Sequence, residues 1–263
     1  MQFEYFRPDA TVRDLIGSYY RTTVTDGLVD VMRAEIANIR FILSGGVTSD
    51  IGGTPVFYGP GNAILCGPTF KWSRVEFQPD TVAIGAAITP LGSARMFDIP
   101  ANHLADDVRM LKDCIPETLH AHVDAVFDSA NDGKRVQMAD ELFAALDRPD
   151  KKINQDFLDK VTAWITDPEP NELEDLMASI NLSPRQVERL SQHYFGSAPK
   201  KLHRKFRALH SANRLTWQEL TDWRDVATTA YFDQSHFIRE FRLFNGRTPN
   251  EFINGAHLLV RHT

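Results

Sequence analysis

The stretch FDQSHFIREFRLFNGRTP, residues 232–249, allows two interpretations. Asp233, Ser235 and His236 could serve as an acid, a nucleophile and a base, or the stretch could be the second half of a helix-turn-helix. On one helix the three side chains project around the first turn, where Asp233 is well placed to cap backbone N–H groups. A capping role argues against a catalytic triad, and the rest of the chain has to decide between the two interpretations.

The size and composition of the chain fit a globular protein. It has 263 residues, 43% of them hydrophobic, which is enough for one large or two medium domains. No stretch reaches the roughly 18 to 20 continuous apolar residues of a membrane span. The N-terminal MQFEYFRPDA lacks the basic and apolar regions of a secretory signal, so we expect a soluble, cytoplasmic protein. Cys66 and Cys114 have no CxxC spacing and are expected to be ordinary thiols.

Charge is distributed unevenly along the chain, whose net charge is −6. Residues 168–263 contain 13 Lys and Arg against 11 Asp and Glu, whereas residues 1–167 contain 16 against 24. Between residues 183 and 215, eight basic residues are accompanied by one acidic residue, Glu188. Such a cluster attracts phosphate and indicates a nucleic-acid partner, although a solvated helix face would also explain it.

Residues 1 to about 98 contain short β-branched and aromatic runs between Gly and Pro turn signals, such as IANIRFIL, NAILCG, FKWSRVEF and TVAIGAAI. Frequent turns between strands of this length predict an all-β barrel or sandwich. From Pro100 the apolar spacing becomes helical, first in NHLADDVRMLKDCI and then in ETLHAHVDAVF and VQMADELFAALD. These predicted helices could close the barrel, join the two halves of the chain or pair subunits.

The segment DPEPNE, residues 167–172, is the expected boundary before a last, helical part, and DRPDKK, residues 147–152, is an earlier alternative. Three parts are therefore predicted: a β-barrel at 1–100, a helical connector or dimerisation region at 101–167, and a basic, helical part at 168–263. In the last part, Ser183 and Pro184 supply an N-cap and an N1 proline for a short helix.

Further helices are predicted from Pro199 to about Leu215, around TDWRDVATT, and from Asp233 to Phe244. Together they form two helix-turn-helix units joined by a central helix of about 16 residues, which spans roughly 24 Å. That length suits a strut between two recognition helices about one DNA turn, roughly 34 Å, apart.

Motifs for catalysis and metal binding are missing from the sequence. It contains no GxSxG, GxxxxGK[ST] or HExxH pattern. The first histidine is His103, so the β-region lacks the imidazoles on which metal-dependent β-barrel enzymes most often rely. We expect no enzymatic activity, catalytic residue, metal or cofactor, and an enzyme that uses the β-barrel is the rival hypothesis.

FDQSHFIREFRLFNGRTPNEF resembles the C-terminal signature of AraC/XylS-type transcriptional regulators, and APKKLHRKFRALHSA resembles that family's central helix. The resemblance extends over residues 172–253, and residues 85–113 resemble more weakly the cupin-like N-terminal domain of one subgroup. It implies an α+β multidomain fold with a cupin-like N-terminal β-barrel, a helical connector and a C-terminal all-α double helix-turn-helix.

The resemblance implies a bacterial transcriptional regulator that binds promoter half-sites in double-stranded DNA and is nucleoid-associated when bound. A small-molecule effector, RNA polymerase and a second copy of the chain are further expected partners. Both activation and repression of transcription fit this resemblance. An N-terminal domain that only dimerises is the alternative.

The resemblance also implies specific site residues. Base contacts are expected in the two recognition helices at Arg185, Glu188, Arg189, Gln234, Ser235, His236 and Arg239. Phosphate contacts are expected in part at Lys200, Lys201, Arg204 and Lys205. Aromatic side chains that could line an effector pocket are Phe41, Phe57, Trp72 and Phe77, and the polar candidates beside them are Arg74 and Glu76, although aromatic residues in a small barrel more often form core.

One departure from the family pattern lies before the second recognition helix. The family usually has a glycine in the run that ends at Asp-Gln, whereas DVATTAYFDQ has Ala230 or Tyr231 in that place. We therefore expect an altered second turn with weaker docking on DNA.

Overall fold

The computed structural model describes residues 1–167, 172–217, 222–224, 226 and 233–255. Its N-terminal part is built from two antiparallel sheets with the strand orders β1-β2-β9-β4-β7-β10 and β3-β8-β5-β6. The strands are β1 (Gln2–Phe6), β2 (Ile16–Val24), β3 (Leu28–Met32), β4 (Asn38–Ser44), β5 (Val47–Ser49), β6 (Val56–Tyr58), β7 (Ala63–Cys66), β8 (Ser73–Phe77), β9 (Thr81–Ile88) and β10 (Val108–Met110). The β-rich fold expected from the sequence is confirmed.

Alternating side chains give the six-stranded sheet two buried faces. On β4, Ile42 joins an apolar cluster between the two sheets, whereas Ile39 and Phe41 belong to a second cluster on the opposite face. Successive side chains of a strand point to opposite faces, so a single strand contributes to both clusters. The space between the sheets and the space behind the larger sheet are therefore separate cores.

Helices cover the outer face of the larger sheet. They follow the strands as α1 (Pro90–Met96), α2 (His120–Phe127) and α3 (Asp132–Leu146), whereas α4 (Gln155–Thr166) packs in a separate apolar cluster with the helices that follow it. The Phe41 ring meets the Phe127 ring of α2 edge to face, with centroids 5.7 Å apart. Tyr19 stacks on Phe143 of α3. The helices predicted after residue 116 thus close one side of the β-domain.

The helix predicted over residues 102–115 is wrong. Its centre is strand β10, in which Val108 pairs with Cys66 of β7, and short 3-10 turns lie on either side. Leu104 and Leu111 are nevertheless buried. Over a segment this short, a few buried positions satisfy a helical pattern as well as a turn-strand-turn pattern, and the open edge of β7 decides for the strand.

The C-terminal part consists of helices, as predicted. They are α5 (Leu173–Ser179), α6 (Pro184–Phe195), α7 (Pro199–Trp217), α8 (Gln234–Asn245) and α9 (Pro249–Asn254). Part of the helix predicted around TDWRDVATT lies outside the described residues, but Trp223 and Val226 pack with Phe237 and Phe241 of α8. Among the helices of the described ranges, none is both long and apolar enough to cross a membrane.

Replacing Phe41 by Ala is expected to destabilise the β-domain by about 3–5 kcal/mol, because it removes a fully buried ring and leaves a cavity. Phe57→Ala is the matched control, since that ring is 56% exposed and its loss should cost less than about 0.5 kcal/mol. Urea unfolding of the full chain measures both values. Equal destabilisation by the two substitutions would contradict the assignment of Phe41 to the core.

Candidate nucleic-acid interface and internal cavity

The first recognition helix, α6, starts with a complete capping box. Ser183 accepts a hydrogen bond from the Gln186 backbone, the Gln186 side chain accepts one from the Ser183 backbone, and Pro184 occupies the first turn. These local signals fix the helix start. Val187 and Leu190 are buried, whereas the residues proposed to contact bases are exposed, namely Arg185, Glu188 and Arg189.

The second recognition helix, α8, starts at its own N-cap. Asp233 Oδ1 accepts a hydrogen bond of 2.9 Å from the Ser235 backbone N–H, and Phe237 and Phe241 are fully buried. The Asp233 carboxylate is therefore used for capping, as expected for a helix start. Of the residues proposed to contact bases from this helix, three are exposed, namely Gln234, Ser235 and Arg239. The fourth, His236, is half-buried.

A buried carboxylate joins this helix to the central helix. Glu240 is only 1% exposed and receives hydrogen bonds from Arg204 and Arg207 of α7. His236 Nε2 lies 3.0 Å from Glu240 Oε1. Burial acts to raise the pKa of Glu240, but the hydrogen bonds from Arg207 and Arg204 outweigh it and hold that pKa below its usual value.

Sequence reasoning missed Glu240, although a signal for it exists. The buried residues of α8 are spaced i, i+3, i+4 and i+7, and Glu240 occupies the i+3 position between Phe237 and Phe241. A carboxylate in the apolar stripe of a helix needs cationic partners, and the basic residues of α7 supply them. Arg204, expected at a phosphate, is therefore engaged by this carboxylate.

The basic residues of α7 are divided between solvent and the β-domain. Lys200 is exposed, and Lys201 places its ammonium 4.7 Å from the centroid of the Phe70 ring. Lys205 is buried, and its Nζ donates a 2.6 Å hydrogen bond to the Glu35 carbonyl oxygen. Burial lowers the pKa of Lys205 to about 7. The expectation that Lys205 faces phosphate is wrong, because the β-domain covers it.

The β-domain encloses a largely apolar cavity of about 40 Å³ between its two sheets. Arg40 lies in its wall, where its guanidinium bonds to both carboxylate oxygens of Glu35 and donates to the Tyr20 hydroxyl at 3.1 Å. Burial raises the pKa of Tyr20 to about 12 and raises the pKa of the Cys66 thiol, so both groups are protonated near neutral pH. The cavity thus has one polar end in an apolar lining.

Most of the side chains proposed for an effector face away from this cavity. Phe41 lies in the core behind the sheet, and Phe57, Arg74 and Glu76 lie on the outer face of the smaller sheet. Trp72 precedes β8 and is also outside the cavity lining. Strand neighbours one residue away line it instead, because side chains alternate between faces: Arg40, Ile42, Tyr58, Val75 and Phe77. Of the four aromatic candidates, Phe77 therefore lies in the cavity wall.

Comparison with known proteins identifies the C-terminal part. A family model described as a helix-turn-helix domain matches residues 176–255. The C-terminal part of this chain is an AraC-type helix-turn-helix domain. A search of curated protein sequences finds no match to the chain.

Similarity to solved structures extends beyond the AraC-type domain. A structure of ToxT from Vibrio cholerae has a TM-score of 0.51 at 10% sequence identity, with 96% of this chain and 98% of that chain covered. ToxT from Vibrio cholerae O395 has a TM-score of 0.50 at 12% identity, with 97% and 99% covered. At such identities the likeness concerns the fold, which is shared over nearly the whole of both chains.

The predicted departure from the AraC-type pattern is not among the features that the structure describes. Ala230 and Tyr231 lie outside the described residues, so the altered second turn stays a prediction. Within the part of the chain that the structure describes, no group of three or more His, Cys, Asp or Glu side chains could hold a metal ion.

Glu240→Gln is expected to lower the free energy of unfolding by about 3 kcal/mol at pH 7, because it leaves two arginines facing a neutral amide. Glu174→Gln is the charge-matched control, since Glu174 is exposed on α5. The folded-state pKa of Glu240 is lowered, so its stabilising contribution is present above the unfolded pKa of about 4.3 and disappears as pH falls through the lowered value. Urea unfolding at pH 7 and pH 3 should therefore show a difference from wild type that shrinks with acidification, and a constant difference would contradict this.

Proposed function

We propose that this chain is a sequence-specific DNA-binding transcriptional regulator whose N-terminal β-domain responds to a small-molecule effector. The observation that carries the proposal is the pair of capped recognition helices, α6 and α8, on either side of the long helix α7. Both present polar and basic side chains to solvent at their N-terminal turns, where a helix in the major groove contacts base edges. The domain type favours a regulator over an enzyme, and Asp233 and His236 have structural partners.

Two kinds of contact should be separable by mutation. Arg189→Ala and Arg239→Ala are each expected to weaken binding by roughly 1–3 kcal/mol and to relax preference at one base position. Lys200→Ala should weaken binding to all sequences alike and reduce the salt slope by about 1, since a phosphate contact releases counterions. In vitro selection from random duplexes, followed by titration at several salt concentrations, measures both effects. Unchanged base preference in Arg239→Ala would contradict the role of that residue.

The proposed effector site is the cavity with Arg40 and Tyr20 at its polar end. A volume of about 40 Å³ holds at most a few water molecules, so an organic ligand has to part the two sheets as it enters. Because the lining is mainly apolar, with Arg40 and Tyr20 at its polar end, the expected ligand is a mainly apolar molecule with one polar group. Entry would disturb Arg40, and through its ion pair with Glu35 it would reach the carbonyl that holds Lys205 of the DNA-binding part. Occupancy could thus shift the population of domain arrangements.

Ala83→Leu fills the cavity and is expected to abolish thermal stabilisation by any ligand that binds there. Ala83 lines the cavity, whereas Ala87 on the same strand does not, so Ala87→Leu is the matched control. A panel of small apolar molecules is screened for a rise in the Tm of the full chain, and each hit is repeated on both variants. A hit that stabilises Ala83→Leu as strongly as wild type would contradict the assigned site.

The second candidate function is a DNA-binding regulator whose β-domain only pairs subunits, which the small volume of the cavity favours. If no molecule of the panel raises the Tm and the protein sediments as a dimer, this second function is supported.

We also propose a bacterial origin, a location at the nucleoid when bound, and contacts with RNA polymerase and with a second copy of the chain. These follow from the resemblance to AraC-type regulators. The division into residues 1–100, 101–167 and 168–263 belongs to the same proposal.

A further inference from the structure

The two recognition helices end in the same way. α6 ends at Gly196 and α8 at Gly246, both in the left-handed region with φ of 84° and 75°. Each glycine is followed three residues later by a proline that starts the next helix, Pro199 or Pro249. The chain therefore contains two equivalent turns, one after each recognition helix, and we call them the first and second glycine turns.

The first glycine turn packs on the β-domain. A Cβ built on Gly196 would lie 2.8 Å from Pro68 Cγ and 3.2 Å from the Phe70 ring. Phe70 is buried in the same apolar cluster as Phe195 at the end of α6 and Leu202 of α7. A side chain at position 196 would clash with Pro68, so the close approach of the turn to the β-domain requires glycine at this position.

The second glycine turn packs on a neighbouring part of the same domain. A Cβ on Gly246 would lie 2.1 Å from Val31 Cγ1 and 3.1 Å from Trp72 Cβ. Arg247 Nη2 pairs with the buried Asp30 carboxylate at 2.5 Å. Two backbone hydrogen bonds reinforce the contact, from Ala34 N–H to the Phe244 carbonyl at 2.7 Å and from Trp72 N–H to the Leu243 carbonyl at 3.1 Å.

The β-domain segments that hold the two turns are fastened to each other. Residues 30–36 and 68–72, which we name the docking ridge, are joined by hydrogen bonds between Glu35 and Thr69 in both directions. The ridge also holds the helix between the turns, through Lys205 Nζ on the Glu35 carbonyl and Arg33 Nη1 on Asn213 Oδ1 at 2.7 Å. One hydrogen-bonded surface thus contacts both recognition helices and α7, the helix that connects them.

The ridge leaves the DNA-facing ends of both helices uncovered. The exposed residues in the first two turns of α6 are Arg185, Glu188 and Arg189, and those at the start of α8 are Gln234 and Ser235. The ridge contacts the C-terminal ends of both helices instead. Docking on the ridge and insertion into DNA grooves are therefore compatible.

We propose that the docking ridge fixes the separation and relative rotation of the two recognition helices, and so determines the spacing of half-sites that the protein accepts. This inference rests on the proposed DNA-binding function. One inserted base pair moves a half-site by roughly 3.4 Å and rotates it by roughly 35°. Two helices held by the ridge as well as by α7 cannot follow both changes, whereas two helices held by α7 alone would have more freedom to adapt. The β-domain thereby contributes to DNA specificity without touching DNA.

The experiment compares spacing preference in the full-length protein and its variants. Asp30→Asn removes the ion pair with Arg247 at nearly constant shape, and Lys205→Met removes the hydrogen bond to Glu35 while keeping the apolar stem. Asp98→Asn is the matched control, because it breaks an ion pair with Arg148 away from the ridge. A duplex obtained by selection is titrated in its original form, with one or two base pairs inserted or removed between half-sites, and with one half-site scrambled.

Wild type and Asp98→Asn are expected to lose roughly 10- to 100-fold in affinity for each change of spacing, similar to a mismatched base pair. Asp30→Asn and Lys205→Met should lose less than a third of that factor, while their affinity for the one-half-site duplex stays within twofold of wild type. The inference is overturned if both ridge variants keep the wild-type spacing profile, or if they lose affinity equally on every duplex. Absence of any sequence preference in wild type would instead remove the proposed function.

Discussion

The hydrogen bond from Lys205 Nζ to the Glu35 carbonyl is the contact on which the arrangement of the molecule depends. An ammonium taken out of water requires compensation, and here it receives a backbone oxygen and the faces of the Phe70 and Phe206 rings. Burial lowers the pKa of Lys205 to about 7, because the site disfavours the charged form of the amino group. A buried amino group at a domain junction favours one arrangement. A shifted packing of the two domains would leave Lys205 buried without the Glu35 carbonyl as its acceptor.

Glu35 connects this junction to the interior of the β-domain. Its carboxylate holds Arg40 in the cavity wall, its backbone pairs with Thr69, and its carbonyl accepts from Lys205. Three structural units therefore meet at one residue: the cavity, the docking ridge and the central helix. Two hydrogen-bonded contacts, Arg40 with the Glu35 carboxylate and Lys205 with the Glu35 carbonyl, connect the cavity wall to the DNA-binding part, and the proposed effector control would act through them.

The two helix-turn-helix units share the glycine turn after the recognition helix but differ in how that helix is capped and held. The first rests on an apolar cluster that includes helices of the connector, with Phe157 and Trp164 of α4 among its members. The second is tied to α7 through the buried Glu240 and its two arginines. The second unit also has an apolar cluster, in which Phe237 and Phe241 pack with Leu215 of α7, so the buried carboxylate adds an electrostatic contribution that lasts only while its cations are present.

Local sequence signals are enough to define the helices of the C-terminal part. Caps such as Ser183 and Asp233, the turn glycines and the i, i+4 spacing of Phe237 and Phe241 act within a few residues, so the recognition helices and the domain type could be predicted. Tertiary structure decided which face of each strand met the cavity, that residues 108–110 are a strand, and that Arg204 and Lys205 have partners inside the protein. These outcomes depend on strand pairing and domain packing between residues far apart in the chain, for which the spacing along one segment contains no signal.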